Sequence, residues 1–172
     1  GLDRLEILGH EISKEGTIFS REKLQGVNDS PLPITSGNLM SYLGLCNYFR
    51  ENIKDYAKLE EPLRKMVKAH KSEKLIWLHN ELDAFNKLKD EIYNMPMLFF
   101  IDDNLPVYLN TDACESGIGG YLYQIKEGRE VPIGFYSSKL RGSELNWSTY
   151  EKEAYAIYKS VLQFQYLLTD IK

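Results

Sequence analysis

The chain has 172 residues, 43% hydrophobic and 27% charged, with 12 Tyr, 7 Phe and 2 Trp; this mixture excludes a disordered segment and can bury one moderate core or two small ones. The formal net charge of −4 excludes a protein that coats nucleic acid over its whole surface, and no apolar run reaches the roughly 18 residues that span a bilayer. Cys46 and Cys114 stand far apart without a CxxC pair or Cys/His cluster, which argues against zinc and a disulfide framework and for a reduced, intracellular setting, cytoplasmic or nuclear.

Leu5 to Ser20 reads as a hairpin, with Leu5 and Ile7 alternating with charge, Glu11-Ile12-Ser13 continuing the strand and Lys14-Glu15-Gly16 supplying the turn before Thr17-Ile18-Phe19. Ser20 caps a short helix through Val27, and Ser30-Pro31-Leu32-Pro33 breaks it. A stronger helix begins at Thr35 or Ser36 and carries Leu39, Leu43, Cys46 and Phe49 on one face. The next is predicted over Leu59–Lys68, with Pro62 in its first turn. Its outer side opens a run between Arg64 and Lys74 of five basic residues and one acid, Glu73, whereas the chain from Ile101 onward has ten acids against seven bases. A basic middle beside an acidic end fits a protein that grips phosphates in one place and holds cations in another, although such a run is also what a solvated helix face looks like. Asn80 is the expected cap of a helix with the stripe Ala84, Phe85, Leu88 and Ile92, closed by Asn94 and Pro96.

At Met97 the pattern changes to strands. Met97–Ile101 reads as a short connecting strand, and Val107–Asp112, Ile118–Ile125 and Val131–Ser138 as an antiparallel meander turning at Ser116-Gly117 and Lys126–Arg129. Ser148-Thr149-Tyr150-Glu151 is a capping box opening a helix with Ala154, Ile157, Val161, Phe164 and Leu168 on one face. The fold class is α+β: an N-terminal β-hairpin (1–19), a small helical bundle (20–95), and a partial sheet with one packed helix (96–172).

Two carboxylates stand out. Asp112 ends an alternating strand before a glycine-rich turn, and Glu153, four residues before Ile157, sits at the buried edge of the predicted helix. A helix packed on the meander would bring them together, and two close carboxylates repel unless a cation neutralises them.

Six motifs occur in order: Leu8-Gly9-His10-Glu11-Ile12-Ser13, Tyr42-Leu43-Gly44-Leu45-Cys46-Asn47-Tyr48-Phe49-Arg50, Thr111-Asp112-Ala113, Gly117-Ile118-Gly119, Tyr136-Ser137-Ser138-Lys139-Leu140 and Ser148–Glu153. In this the chain resembles the polyprotein of gypsy-class LTR retrotransposons, from the end of the reverse-transcriptase palm through the thumb into the N-terminal part of the ribonuclease H domain. The resemblance implies that Gly9, His10 and Glu11 belong to the primer-grip hairpin. It also implies that the helical segment is the thumb, which lies along the duplex minor groove, with Asn47, Arg50 and Lys54 as the first candidates for backbone contacts. Asp112 and Glu153 match the first two carboxylates of a nuclease centre that uses four of them to hold two Mg2+ ions. The implied partners are an RNA–DNA hybrid or a template–primer duplex.

The sequence departs from that pattern in carrying Cys114 where relatives have serine and Cys46 where they have alanine. It also ends before the strand that bears the third carboxylate, and Asp170 stands at a helix end rather than in a Thr-Asp strand motif. The expectation is therefore a fragment inactive by itself, whose C-terminal half pairs with a second copy, borrows a strand from the rest of the polyprotein, or is loosely held. The other function class weighed is a non-catalytic module for nucleic acid or a protein partner, derived from such an element.

Overall fold

The structure is a computed structural model, and residues 4–169 are described; Asp170 lies outside them. The N-terminal body holds strands β1 (Arg4–Ile7), β2 (His10–Ser13) and β3 (Gly16–Phe19), helices α1 (Arg21–Asn28), α2 (Ser36–Cys46), α3 (Tyr56–Lys65) and α4 (His79–Tyr93), and strand β4 (Leu98–Phe99). The C-terminal body holds β5 (Val107–Ala113), β6 (Gly117–Lys126), β7 (Arg129–Lys139) and helix α5 (Thr149–Leu168). The mixture of helices and antiparallel sheets is the α+β class read from the sequence.

The predicted hairpin is a three-stranded meander, because the chain reverses at Leu8-Gly9 as well as at Lys14-Glu15. The first reversal places both Leu8 (φ 53) and Gly9 (φ 78) in the left-handed region, which suits Gly9 and is uncommon for leucine. β4 then pairs with β3, giving one sheet of order β1-β2-β3-β4. The connecting strand thus belongs to the hairpin's sheet rather than to the C-terminal one.

Below this sheet the helices close around one core. Leu24, Leu39, Leu43, Cys46, Phe49, Tyr56, Leu63, Leu88 and Ile92 are almost wholly buried, on the faces that the helical spacing predicts. Thr35 caps α2 reciprocally with Asn38, and Trp77 donates Nε1–H to the Pro33 carbonyl at 2.7 Å while its ring packs edge-on against Phe85. Two helix starts differ from expectation. The cap of α4 is Leu78, so Asn80 lies inside the helix. α3 starts at Tyr56, which places Pro62 in its interior instead of its first turn. In that earlier first turn the Ala57 N–H bonds the Ser137 hydroxyl, 80 positions on, a partner that local sequence does not reveal.

β5, β6 and β7 form the antiparallel meander in order β5-β6-β7. α5 begins with the predicted capping box of Ser148 and Glu151, but its buried face is not the predicted apolar stripe. Lys152, Ala156, Ser160 and Phe164 face the sheet, while Ile157 and Val161 are 52% and 44% exposed. The cause is shape. Ser160 occupies the space that a Cβ on Gly120 would fill, and Phe164 does the same over Gly134. A glycine-bearing strand selects small or flat partners at close range, and hydrophobicity alone gives the wrong helix phase. Gln124, nearly inaccessible, fastens the loop between β4 and β5 to β6: it accepts from the Asp102 N–H at 2.9 Å and donates to the Asp102 and Leu105 carbonyls at 2.9 and 2.8 Å. No described helix is long and apolar enough to cross a membrane.

Candidate functional site

β5 alternates between half-buried Val107, Leu109, Thr111 and Ala113 and exposed Tyr108, Asn110 and Asp112. Thr111 stands opposite Gly120, on the side of α5; Asp112 stands opposite Gly119 and points to the other side. There it lines a cleft with Asp55 and Lys58 of the helical bundle and Cys114, Ser116 and Lys139 of the sheet. Glu153, the fifth residue of α5, is exposed and not buried at its edge. The strand alternation therefore does not direct Asp112 toward the helix that bears Glu153, and the anticipated meeting of the two across one sheet face is not what the register gives. Among the described residues no group of three or more His, Cys, Asp or Glu gathers in a metal-holding cluster.

Lys152, between the capping-box Glu151 and Glu153, is buried, and it donates to the Glu115 carbonyl at 3.2 Å and to the Leu145 carbonyl at 2.9 Å. It ties the turn after Asp112 to the helix start. Flanked by two acids, it reads in sequence as a surface charge, and only its place one helical turn before Ala156 marks it as facing inward. The Ser148 N–H and hydroxyl hold the Glu151 carboxyl below its ordinary range, consistent with a capping role.

At the other end, His10 packs on Phe19 with ring centroids 4.2 Å apart, and its Nε2 lies 3.4 Å from the Tyr48 hydroxyl. Lys23 donates to the Leu8 carbonyl at 3.1 Å and sits over the Tyr48 ring at 4.2 Å, so hairpin, α1 and the segment after α2 lock around Gly9. Glu11 faces Arg4 across the strands at 3.8 Å. Burial, then the Lys23 charge, lowers the His10 pKa from its ordinary 6.5. A lowered folded-state value means that stability is fully present above about pH 6.5 and is lost as pH falls below it. His10→Gln is expected to flatten the dependence of the melting temperature on pH between about 7.5 and 5.5; an unchanged slope in that variant assigns the dependence elsewhere.

The remaining candidates divide. Asn47 is exposed and accepts from Arg50 Nη1 at 3.1 Å, while Arg50 Nη2 donates to the Ser137 carbonyl at 2.6 Å. Arg50 is thus spent on the joint between the bodies. Lys54 is exposed and lines a groove with Lys58 and Lys87 and the acids Asp55 and Glu91. Lys23, Lys58, Ser137 and Lys139 escape a sequence reading, because each acquires its place through contacts distant in the chain.

A four-stranded sheet locked to a small helical bundle is followed by an antiparallel meander with an exposed strand aspartate. Over 95–96% of the chain this arrangement superposes, with a TM-score of 0.76 and 20% identity, on the foamy viral protease-reverse transcriptase, solved in complexes with double-stranded DNA and with an RNA/DNA hybrid. Residues 77–172 match the family described as the RNase H-like domain found in reverse transcriptase, and the chain belongs to it. It is similar to the Pol polyproteins of the Drosophila melanogaster transposons opus (32% identity over 92% of the chain) and gypsy (34% over 96%), and to the Tf2-3 polyprotein of Schizosaccharomyces pombe (28% over 96%). It corresponds to the reverse transcriptase–ribonuclease H region of a retrotransposon polyprotein, and spans 17%, 17% and 12% of the length of those three relatives.

Proposed function

We propose that the chain grips a nucleic-acid duplex in the course of reverse transcription and contributes Asp112 to the ribonuclease H centre. Gly9, His10 and Glu11 serve the primer end, Asn47 and Lys54 serve the duplex backbone, and Asp112 serves the nuclease; Glu153, on the side of the sheet that α5 covers, is left without a partner role among the described residues. The observation that carries this reading is the cleft in which Asp112 lies open beside Lys58 of the thumb helix, so that one duplex can touch both. The related foamy viral enzyme's complexes with duplex and hybrid support the same partner for this chain.

Magnesium is the metal that the family reading implies. Exposed carboxylates are the right donors, but Asp112 and Glu153 do not amount to a closed site without further ligands, so the described residues fit that metal only in part. The two thiols, Cys46 and Cys114, are unpaired.

Two results are expected from the chain as it stands. A fluorescent RNA–DNA hybrid should bind with an affinity that falls steeply with salt, each phosphate contact adding roughly 0.7–0.9 to the slope of log K against log salt. Magnesium should not lead to cutting of the RNA strand. Salt-insensitive binding, or none, overturns the duplex-gripping role; magnesium-dependent cutting overturns the incomplete nuclease centre.

A further inference from the structure

The joint between the two bodies converges on Ser137, which stands in the Tyr136–Leu140 motif and lines the Asp112 cleft but has so far been given no role. Ser137, on β7, is buried and bonded by both its side chain and its backbone to the thumb. Its Oγ accepts from the Ala57 N–H at 2.8 Å, and its carbonyl accepts from Arg50 Nη2 at 2.6 Å, across 80 and 87 positions of chain. The first of these bonds is a helix cap supplied in trans. Ala57 is the second residue of α3, whose first-turn N–H groups have no partners inside the helix. Asp55 occupies the cap position but makes no side-chain cap bond; it takes a left-handed conformation (φ 55, ψ 29). Its carboxylate instead stands 3.2 Å from where a Cβ on Gly119 would be, opposite Asp112. Ser116 donates to Glu61 at 3.1 Å and Gln163 to Glu51 at 3.3 Å, but these flanking bonds are between more accessible side chains and are readily exchanged for water.

We propose that Ser137 is the positioning residue that orients the Asp112 cleft on the thumb. By ending the thumb helix on a strand of the nuclease sheet, it makes the position of α3 and the position of Asp112 one variable. A duplex lying along α3 is then presented to Asp112 without a search by a loosely tethered nuclease body. This rests on the reading that the thumb holds a duplex, and the test separates the two.

The measurement uses the whole chain and its own cysteines. Cys114 lines the Asp112 cleft and is partly accessible. Cys46 is fully buried, and burial pushes its thiol pKa up to about 12, so alkylation reports Cys114. In the wild type, bound hybrid should shield Cys114. Ser137→Ala should leave hybrid affinity within about 3-fold but abolish the shielding, and should speed amide exchange at Ala57 by about 3- to 30-fold, the loss expected for a missing cap. Ser138→Ala, next to it, should change neither. Shielding that persists in Ser137→Ala, or exchange at Ala57 that does not move, overturns the proposal while leaving the duplex reading intact. A wild-type chain that binds no hybrid overturns the duplex reading and this one with it, whatever the exchange at Ala57 shows. Should Ser137→Ala fail to fold, Arg50→Gln removes the second bond and must reproduce the loss of shielding.

Discussion

Gly120→Ala is expected to loosen the C-terminal body by about 2–3 kcal/mol, the cost of forcing extra volume into a closed contact. Propensity predicts the opposite sign, since alanine restricts the unfolded chain and favours a strand over glycine by up to about 1 kcal/mol. Packing decides because the new Cβ would overlap Ser160 Oγ and stand 2.8 Å from Ser160 Cβ, so α5 has to lift. The loss should concentrate in amide exchange of β6 and α5 and spare the helical bundle. Ser160→Gly in the same chain should recover most of it, giving a coupling between neighbours of about 1–2 kcal/mol in a double-mutant cycle. Equal losses with and without Ser160→Gly would place the cost elsewhere.

Phe49→Ala should cost about 3–5 kcal/mol in urea unfolding. Phe49 is fully buried and meets Phe19 of β3 edge-on at 4.7 Å and Tyr48 at 5.5 Å. The cavity would open at the contact between hairpin sheet and helical bundle, so the hairpin loses its support along with the core. Tyr48→Ala, at a half-exposed ring, should cost about 1 kcal/mol, the ordinary single-substitution value, even though the same ring touches His10. A smaller effect for Phe49 than for Tyr48 would mean that the hairpin is held by its surface contacts rather than by the core.

These residues also mark what the sequence discloses. The helical stripe through Leu39, Leu43, Cys46 and Phe49 and the capping box of Ser148 and Glu151 are local, and the structure has them where spacing puts them. The alternation of β5 is equally legible, including the exposure of Asp112. What local pattern leaves open is decided by partners far along the chain. The helix phase of α5 follows glycines on two strands, the first turn of α3 bonds Ser137, and Leu8 turns the chain because Lys23 and the Gly9 carbonyl bond to Ser20 N–H hold the corner. The shared face expected for Asp112 and Glu153 fails for the same physical reason. A period of two fixes which residues of β5 share a side, but no periodicity tells which side a later helix will cover.

The pairing of β4 with β3 has a practical consequence for anyone dividing the protein. Composition invites a cut near residue 96, where helices give way to strands. Such a cut would carry Leu98–Phe99 away with the C-terminal body and leave Gly16 and Thr17 with bare amides and carbonyls along a freshly exposed sheet margin. The detached N-terminal piece would then be prone to self-association, and its behaviour in solution would reflect the scissors rather than the protein. Placing the cut after Phe100, whose N–H still bonds the Glu15 carbonyl, keeps that margin sealed.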